Sequence, residues 1–309
     1  MICCEARFSE VSRRHIGVGG GRSPGRPQLD RNALIFTIGA VLSSLLLLTH
    51  DHDFAGGLAV AIIAFALLWG VSLVLKNAGI VDIFWGPGFI VVGAFYSLTV
   101  PGGPTVRGLA VLLLVIVWAS RLALYIGLRN AGAGEDFRYK KWRDEAGPNF
   151  WWVSFLKVFL LQAVVLWIVS SPLLLAHLGH SRPIGVLDGL GLVLWFGGFA
   201  YEAVADWQLR RFKKDPANAG RVMRSGLWSL SRHPNYFGEA VLWWGIALIT
   251  LSAGGWMSMI GPAMITYLLL KVSGVALLDS AMVERRPDYA AYIASTPAFV
   301  PLPRARQLR

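Results

Sequence analysis

The chain has 309 residues, 55% of them hydrophobic and 15% charged, and a formal net charge of +11. Soluble domains average roughly 25% charged residues, so this composition excludes an ordinary soluble domain and fits a polytopic membrane protein. The two cysteines, Cys3 and Cys4, are adjacent near the N-terminus, which excludes a disulfide framework and a cysteine-based zinc site. No RNA- or DNA-binding motif accompanies the basic charge, so no nucleic-acid partner is expected.

Residues 1–31 are basic and rich in Gly and Pro, a composition that cannot bury a core and reads as a disordered tail. They lack the apolar run of a typical secretory signal. Residues 32–309 read as one integral membrane domain. Its eight hydrophobic segments are Ala33–Thr49, Gly56–Leu75, Ile80–Val100, Gly108–Leu128, Val153–His177, Ile184–Ala205, Phe237–Leu251 and Trp256–Leu278. Each approaches the roughly 20 residues that cross about 30 Å of hydrocarbon, although the first and seventh are short. Ser252–Gly255 alone divides the last two, which read as a hairpin or as one interrupted element. Backbone polar groups must be satisfied within each span, so the expected fold is all-α, a bundle of seven or eight transmembrane helices.

The basic residues orient this layout. With the N-terminus in the cytoplasm, residues 1–32, Lys76, Arg129–Arg143, Arg210–Arg232 and Arg285–Arg309 all fall on the cytoplasmic side. The other side receives Arg107 and Arg182. This is the segregation of the positive-inside rule, and it accounts for the net charge. Both termini are then cytoplasmic.

Against that topology, the polar groups inside the spans gather at cytoplasmic helix ends. Asp82 lies just inside the third segment; Arg121 and Tyr125 lie four apart in the fourth. Glu202, Asp206 and Arg210 run at four-residue intervals out of the sixth. The seventh is preceded by Ser231-Arg232-His233-Pro234-Asn235-Tyr236-Phe237-Gly238-Glu239, with Asn235 and Glu239 again four apart. That spacing puts each set on one helix face. Ionisable groups in a span are functional-site candidates by default, and these imply a shared, wet pocket open to the cytoplasm. Other readings stay open: Arg121 and Lys157 as snorkelling cations, Glu202-Asp206-Arg210 as a charged helix end, and Trp85, Trp118, Trp142, Trp151 and Trp152 as interfacial belt residues. His233 has no metal-ligand partners at suitable spacing, and no metal site is expected. The basic loops suit a phosphate-bearing ligand with rings, or anionic lipid headgroups. No Gly-x-Gly-x-x-Gly fingerprint follows a strand, so a nucleotide would need an all-helical site.

The motif at 231–239, preceded by Gly226-Leu227-Trp228, resembles the C-terminal domain of the steroid 5α-reductase superfamily. Val81-Asp82-Ile83-Phe84-Trp85-Gly86, Gly134-Glu135-Asp136-Phe137-Arg138-Tyr139, Phe150-Trp151-Trp152 and Tyr289-x-x-Tyr292 extend the resemblance over about residues 33–303, most closely to a bacterial reductase-like branch. It implies a seven-helix membrane enzyme, in a bacterial inner membrane, that reduces a lipophilic enone with NADPH held in a cytoplasm-facing cavity. Asn235 and Glu239 match residues that hold the nicotinamide end. Asp206, Arg210, Lys213 and Arg221 match positions for adenosine and phosphates, and Arg121 a cavity-lining Arg. Arg129, Glu202, His233, Tyr236 and Tyr292 complete the implied cofactor-binding set. Asp82 falls near the family's acid at the substrate carbonyl. Trp118 stands near the place of the Tyr that pairs with that acid, and His233 replaces a non-titrating residue; both are departures.

The implied catalytic set is Asp82, Arg121, Tyr125 and Glu239. Asp82 would donate as a neutral acid to the developing oxyanion, assisted by Arg121 or Tyr125. The runner-up is an S-adenosylmethionine-dependent membrane methyltransferase of isoprenylcysteine or phospholipids. That family shares Arg-His-Pro-x-Tyr but follows it, across a helical hairpin, with a Glu-Glu pair; here that place reads Leu278-Asp279-Ser280. A transporter or lipid scaffold would show inverted repeats, and none is evident.

Overall fold

The computed structural model describes residues 52–178, 182–272, 274–286 and 288–302. The basic tail 1–31, the first hydrophobic segment Ala33–Thr49, and Cys3 and Cys4 lie outside the described residues. Those described are helical, with no strand among them. The helices are α1 (His52–Leu75), α2 (Ile80–Thr99), α3 (Val106–Asn130), α4 (Phe137–Ala146), α5 (Phe150–Ser154), α6 (Leu161–Val169), α7 (Ser171–Leu178), α8 (Val186–Lys214), α9 (Pro234–Gly254), α10 (Ile260–Tyr267), α11 (Val275–Arg285) and α12 (Tyr289–Ser295). Within the described residues, 7 helical runs are long and apolar enough to cross a membrane. They correspond to the second through eighth predicted segments.

Three boundaries differ from expectation for local reasons. The fifth run is helical from Phe137 to Leu178, 42 residues, because the basic stretch read as a loop forms α4. The Asp136 side chain caps α4 by accepting from the Arg138 N–H at 3.0 Å, and Gly147 at φ 53 ends it. The seventh span starts at Pro234 rather than Phe237, since proline suits the first helical turn. Residues 234–239 of the polar motif are therefore part of the span itself, and Ser231, Arg232 and His233 lead into it. It runs on to Gly254, and Gly255 at φ 66 then breaks from the eighth span, so the two are separate elements.

The bundle is organised by α8 and α9, its most extensive helix pair. Gly191 and Gly198 on α8 face Gly245 and Gly238 on α9, seven residues apart on each helix. A Cβ at Gly198 would sit 2.5 Å from the Leu242 nitrogen, and one at Gly245 would sit 2.7 Å from the Gly191 oxygen. Small residues let backbones approach closely where lipid supplies no hydrophobic drive. Beneath this seam, Phe89 packs on Trp243 at 4.9 Å and Trp118 meets Trp243 edge-on at 5.4 Å. At one end of the bundle, Arg107 pairs with Asp188 at 2.8 Å and Ser97 bonds His177 at 3.0 Å. The basic loops gather at the other end, where they line a common cavity.

Candidate functional site

The close approach at Gly198 and Gly238 decides what lies one turn further along. Glu202 and Asp206 follow Gly198 at four-residue steps, so they keep its face; Asn235 and Glu239 flank Gly238 on α9. Arg121 of α3 completes the group. Its Nη1 donates to Asp206 Oδ2 at 2.8 Å, and its Nη2 donates to Glu202 Oε1. The Asn235 amide donates to Asp206 Oδ1 at 3.2 Å. Glu202, Asp206 and Glu239 are 2%, 3% and 3% exposed, so three carboxyl groups share one guanidinium out of water. Glu202 Oε2 and Glu239 Oε1 are buried and have no hydrogen-bond partner among the described residues. Trp118 stands beside Glu202.

Outside this cluster opens a cavity of about 1350 Å³. Its walls are the 129–137 loop, the C-terminal end of α8 with the loop after it, the start of α9, and α11–α12. Of the sequence-predicted residues, Tyr125, Arg129, Arg210, Lys213, Arg221, His233, Asn235, Tyr236 and Tyr292 line it. Arg121, Glu202, Asp206 and Glu239 sit behind its floor, and Asn235 joins the two by lining the cavity while bonding Asp206.

Asp82 stands apart. Arg138 Nη2 donates to its Oδ2 at 2.6 Å and the Tyr139 hydroxyl donates to its Oδ1 at 2.7 Å. Asp82 thus pins α4 to α2 and does not line the cavity. The residue expected at the substrate carbonyl thus has both of its oxygens accepting from donors on α4. Arg138 was the unforeseen partner. Lys157, read as a snorkelling cation, lies over the Trp142 ring at 4.6 Å.

The Arg-His-Pro motif has a partner that the sequence reading passed over. Arg232 Nη2 donates to Asp279 Oδ2 at 2.7 Å, and His233 Nε2 lies 3.0 Å from Asp279 Oδ1. The Tyr289 hydroxyl donates to the same Oδ1 at 2.7 Å. The signal was present: Asp279 occupies the place inspected for a Glu-Glu pair, and Tyr289 opens Tyr289-x-x-Tyr292. His233 also stacks on Tyr236, with centroids 5.5 Å apart. Tyr292 turns its hydroxyl to the Trp228 carbonyl, which makes it an anchor in the cavity wall.

Burial alone would push the Asp279 carboxyl up, but hydrogen bonds from His233, Arg232 and Tyr289 outweigh it and hold the carboxyl below its usual range. A carboxyl held low in the folded state stabilises fully above its ordinary value of about 4, and that contribution fades as pH falls further. Burial, and then the bond to Asp279, pushes the Tyr289 hydroxyl up, a contribution complete below about pH 10 and lost above it. In detergent melts followed by circular dichroism, wild-type protein is expected to exceed Asp279→Asn in stability near neutrality. The gap should shrink as pH falls below about 4; a constant gap would remove the carboxylate from the account.

Comparisons with known proteins follow this geometry. Residues 68–296 match the family described as "Protein of unknown function (DUF1295)". An uncharacterized protein of Schizosaccharomyces pombe is 26% identical over 90% of this chain and 88% of its own length. The 3-oxo-5-alpha-steroid 4-dehydrogenase 1 of Bos taurus is 36% identical over 66 residues, 21% of this chain and 26% of that enzyme. A probable O-methyltransferase of Ustilaginoidea virens is 32% identical over 31% of this chain and 32% of its own length. The chain thus spans about a quarter to a third of these last two relatives, and no solved structure matches it. With a match over most of its length, the chain belongs to the DUF1295 family, within the steroid 5-alpha-reductase-like group.

Proposed function

We propose that this protein is a membrane-embedded, NADPH-dependent reductase of an activated C=C bond in a lipophilic molecule. One observation carries the reading: a cation-lined cavity meets a buried cluster of carboxyl groups at Asn235. Ligand pockets span roughly 300–1,000 Å³, so a cavity of about 1350 Å³ has room for a dinucleotide. Arg210, Lys213, Lys214 and Arg221 crowd one wall and suit phosphates, which guanidinium groups bind bidentately. Behind the inner end, Glu202 Oε2 and Glu239 Oε1 are buried without a hydrogen-bond partner among the described residues, a chemistry that suits a carboxamide donor. A bound reduced nicotinamide would supply hydride there.

The residues of this chain do the rest. Asn235 and Glu239 orient the ring-bearing end, and Arg121 holds Glu202 and Asp206 in place. Burial of the cluster excludes water from the reacting end. With both Asp82 oxygens engaged, this reading gives the role of proton donor to the developing oxyanion to Tyr125, one of the tyrosines that line the cavity. The basic end faces the cytoplasm of a bacterial inner membrane in this reading, and substrate arrives from the lipid.

A second reading has its own observation. Arg232 and His233 reach an acid across the helical hairpin, Asp279, which restores part of the methyltransferase pattern, and a probable O-methyltransferase is among the relatives. Thermal unfolding of the purified protein with each cofactor separates the two. NADPH at about 100 times its Kd should add about 2.7 kcal/mol of stability, and Arg210→Ala with Arg221→Ala should reduce that gain. A shift with S-adenosylmethionine and none with NADPH selects the methyltransferase.

A further inference from the structure

We propose that Asp279 is a positioning residue that locks the start of α9 to the α11–α12 wall of the cavity, making Arg232, His233 and Asp279 one unit. The proposal deepens the reductase reading and takes from it only the choice of ligand used as a probe.

The carboxylate is fully spent. Arg232 Nη2 and Nε reach its Oδ2 at 2.7 and 3.2 Å, while His233 Nε2 and the Tyr289 hydroxyl reach its Oδ1 at 3.0 and 2.7 Å. A carboxylate offers about four lone-pair sites, so these four donors leave none for a ligand. Asp279 therefore acts on a ligand through others. Arg232 is equally committed, since its Nη1 donates to the Thr296 carbonyl at 2.5 Å. Although Arg232 borders the cavity, its donors hold protein atoms and not phosphate.

What the unit holds is the binding face. On one side, His233 stacks against Tyr236, and Asn235 in the same turn reaches Asp206. On the other, Asp279 shares α11 with Met282 and Arg285, which also line the cavity. Among the described residues, the α11 backbone packs chiefly against the preceding turn and α12. The polar bridge ties α11 itself to the start of α9, while Tyr292 ties α12 to the Trp228 and Ser231 carbonyls just before it. Two backbone bonds lie beside the bridge: the Arg232 N–H to the Pro297 carbonyl at 2.9 Å and the Leu302 N–H to the Leu230 carbonyl at 3.1 Å.

The test compares wild type with Asp279→Asn in two measurements on the full chain in detergent. Binding is measured for NADPH and for adenosine 2′,5′-bisphosphate, a probe that lacks the nicotinamide end. Asp279→Asn should weaken NADPH on the order of tenfold and the bisphosphate less than about twofold, because Arg210 and Lys213 stand on α8, away from the lock. Amide exchange should rise together at 230–236 and 289–302 and stay unchanged in α8. Equal weakening of both ligands, or a rise confined to α11, overturns the proposal. Should Asp279→Asn fail to fold, Tyr289→Phe removes one donor and must give the same ordering at smaller size. If wild type binds no NADPH, the reductase reading fails and the exchange pattern alone decides the lock.

Discussion

Replacing Arg121 with methionine is expected to cost about 3–5 kcal/mol of stability, the range for removing one partner of a buried ion pair. Methionine keeps much of the volume of the arginine stem and deletes the charge. Glu202 and Asp206 would then remain 2% and 3% exposed with no guanidinium between them, beside a third carboxyl group, Glu239. The cost lies in the uncompensated acids rather than in the lost bonds, and this can be checked. The triple variant Arg121→Met, Glu202→Gln, Asp206→Asn removes charge on both sides and should recover most of the loss, as concerted replacement of buried pairs is often near neutral. Calorimetric or dichroism melts of both variants in one detergent give the answer. If the single change costs under about 1 kcal/mol, or the triple recovers nothing, Arg121 does not counterbalance these acids. The same triple variant should bind no NADPH, which separates stability from function.

Much of this site was legible in the sequence because its information is local. Four-residue spacings within α8 and α9 put Glu202 with Asp206 and Asn235 with Glu239 on shared faces. The long apolar runs mark spans by length alone, and the structure follows seven of them. What escaped was long-range pairing. Asp82 meets Arg138 across 56 positions of chain and His233 meets Asp279 across 46. Spacing rules have no purchase at such separations; only the packing of α4 and α11 brings these residues together. α4 itself was misread because Lys140, Lys141 and Arg143 make it polar, while the features that decide it are the Asp136 cap and the Gly147 stop. The glycines at 191, 198, 238 and 245 were visible, but their heptad spacing says nothing of α8 meeting α9 until both are placed.

That glycine seam carries the second large effect, and adjacent residues on α8 make the test internally controlled. A Cβ at Gly198 would meet the Leu242 nitrogen at 2.5 Å and the Gly238 oxygen at 2.6 Å, whereas one at Gly197 would meet nothing within 4 Å. The atoms in the way at Gly198 are backbone, so no rotamer change relieves the clash and the helices themselves must part. Gly198→Ala is therefore expected to destabilise by about 1–3 kcal/mol, as overpacking does. Gly197→Ala should be neutral or stabilise by roughly 0.5–1 kcal/mol through helix propensity. The functional consequence is sharper than the energetic one. Gly238→Ala, blocked by the Glu202 nitrogen at 2.6 Å, would separate the helices at the level of the carboxyl cluster. A shift of a few tenths of an ångström there stretches the 3.2 Å bond from Asn235 to Asp206. NADPH binding should then fall further than for Gly191→Ala, which strains the same seam about two turns closer to the opposite end. Equal behaviour of the adjacent alanines at 197 and 198 would show that α8 and α9 do not touch through their backbones. The alignment of Glu202 and Asp206 with Asn235 and Glu239 would then have no steric cause.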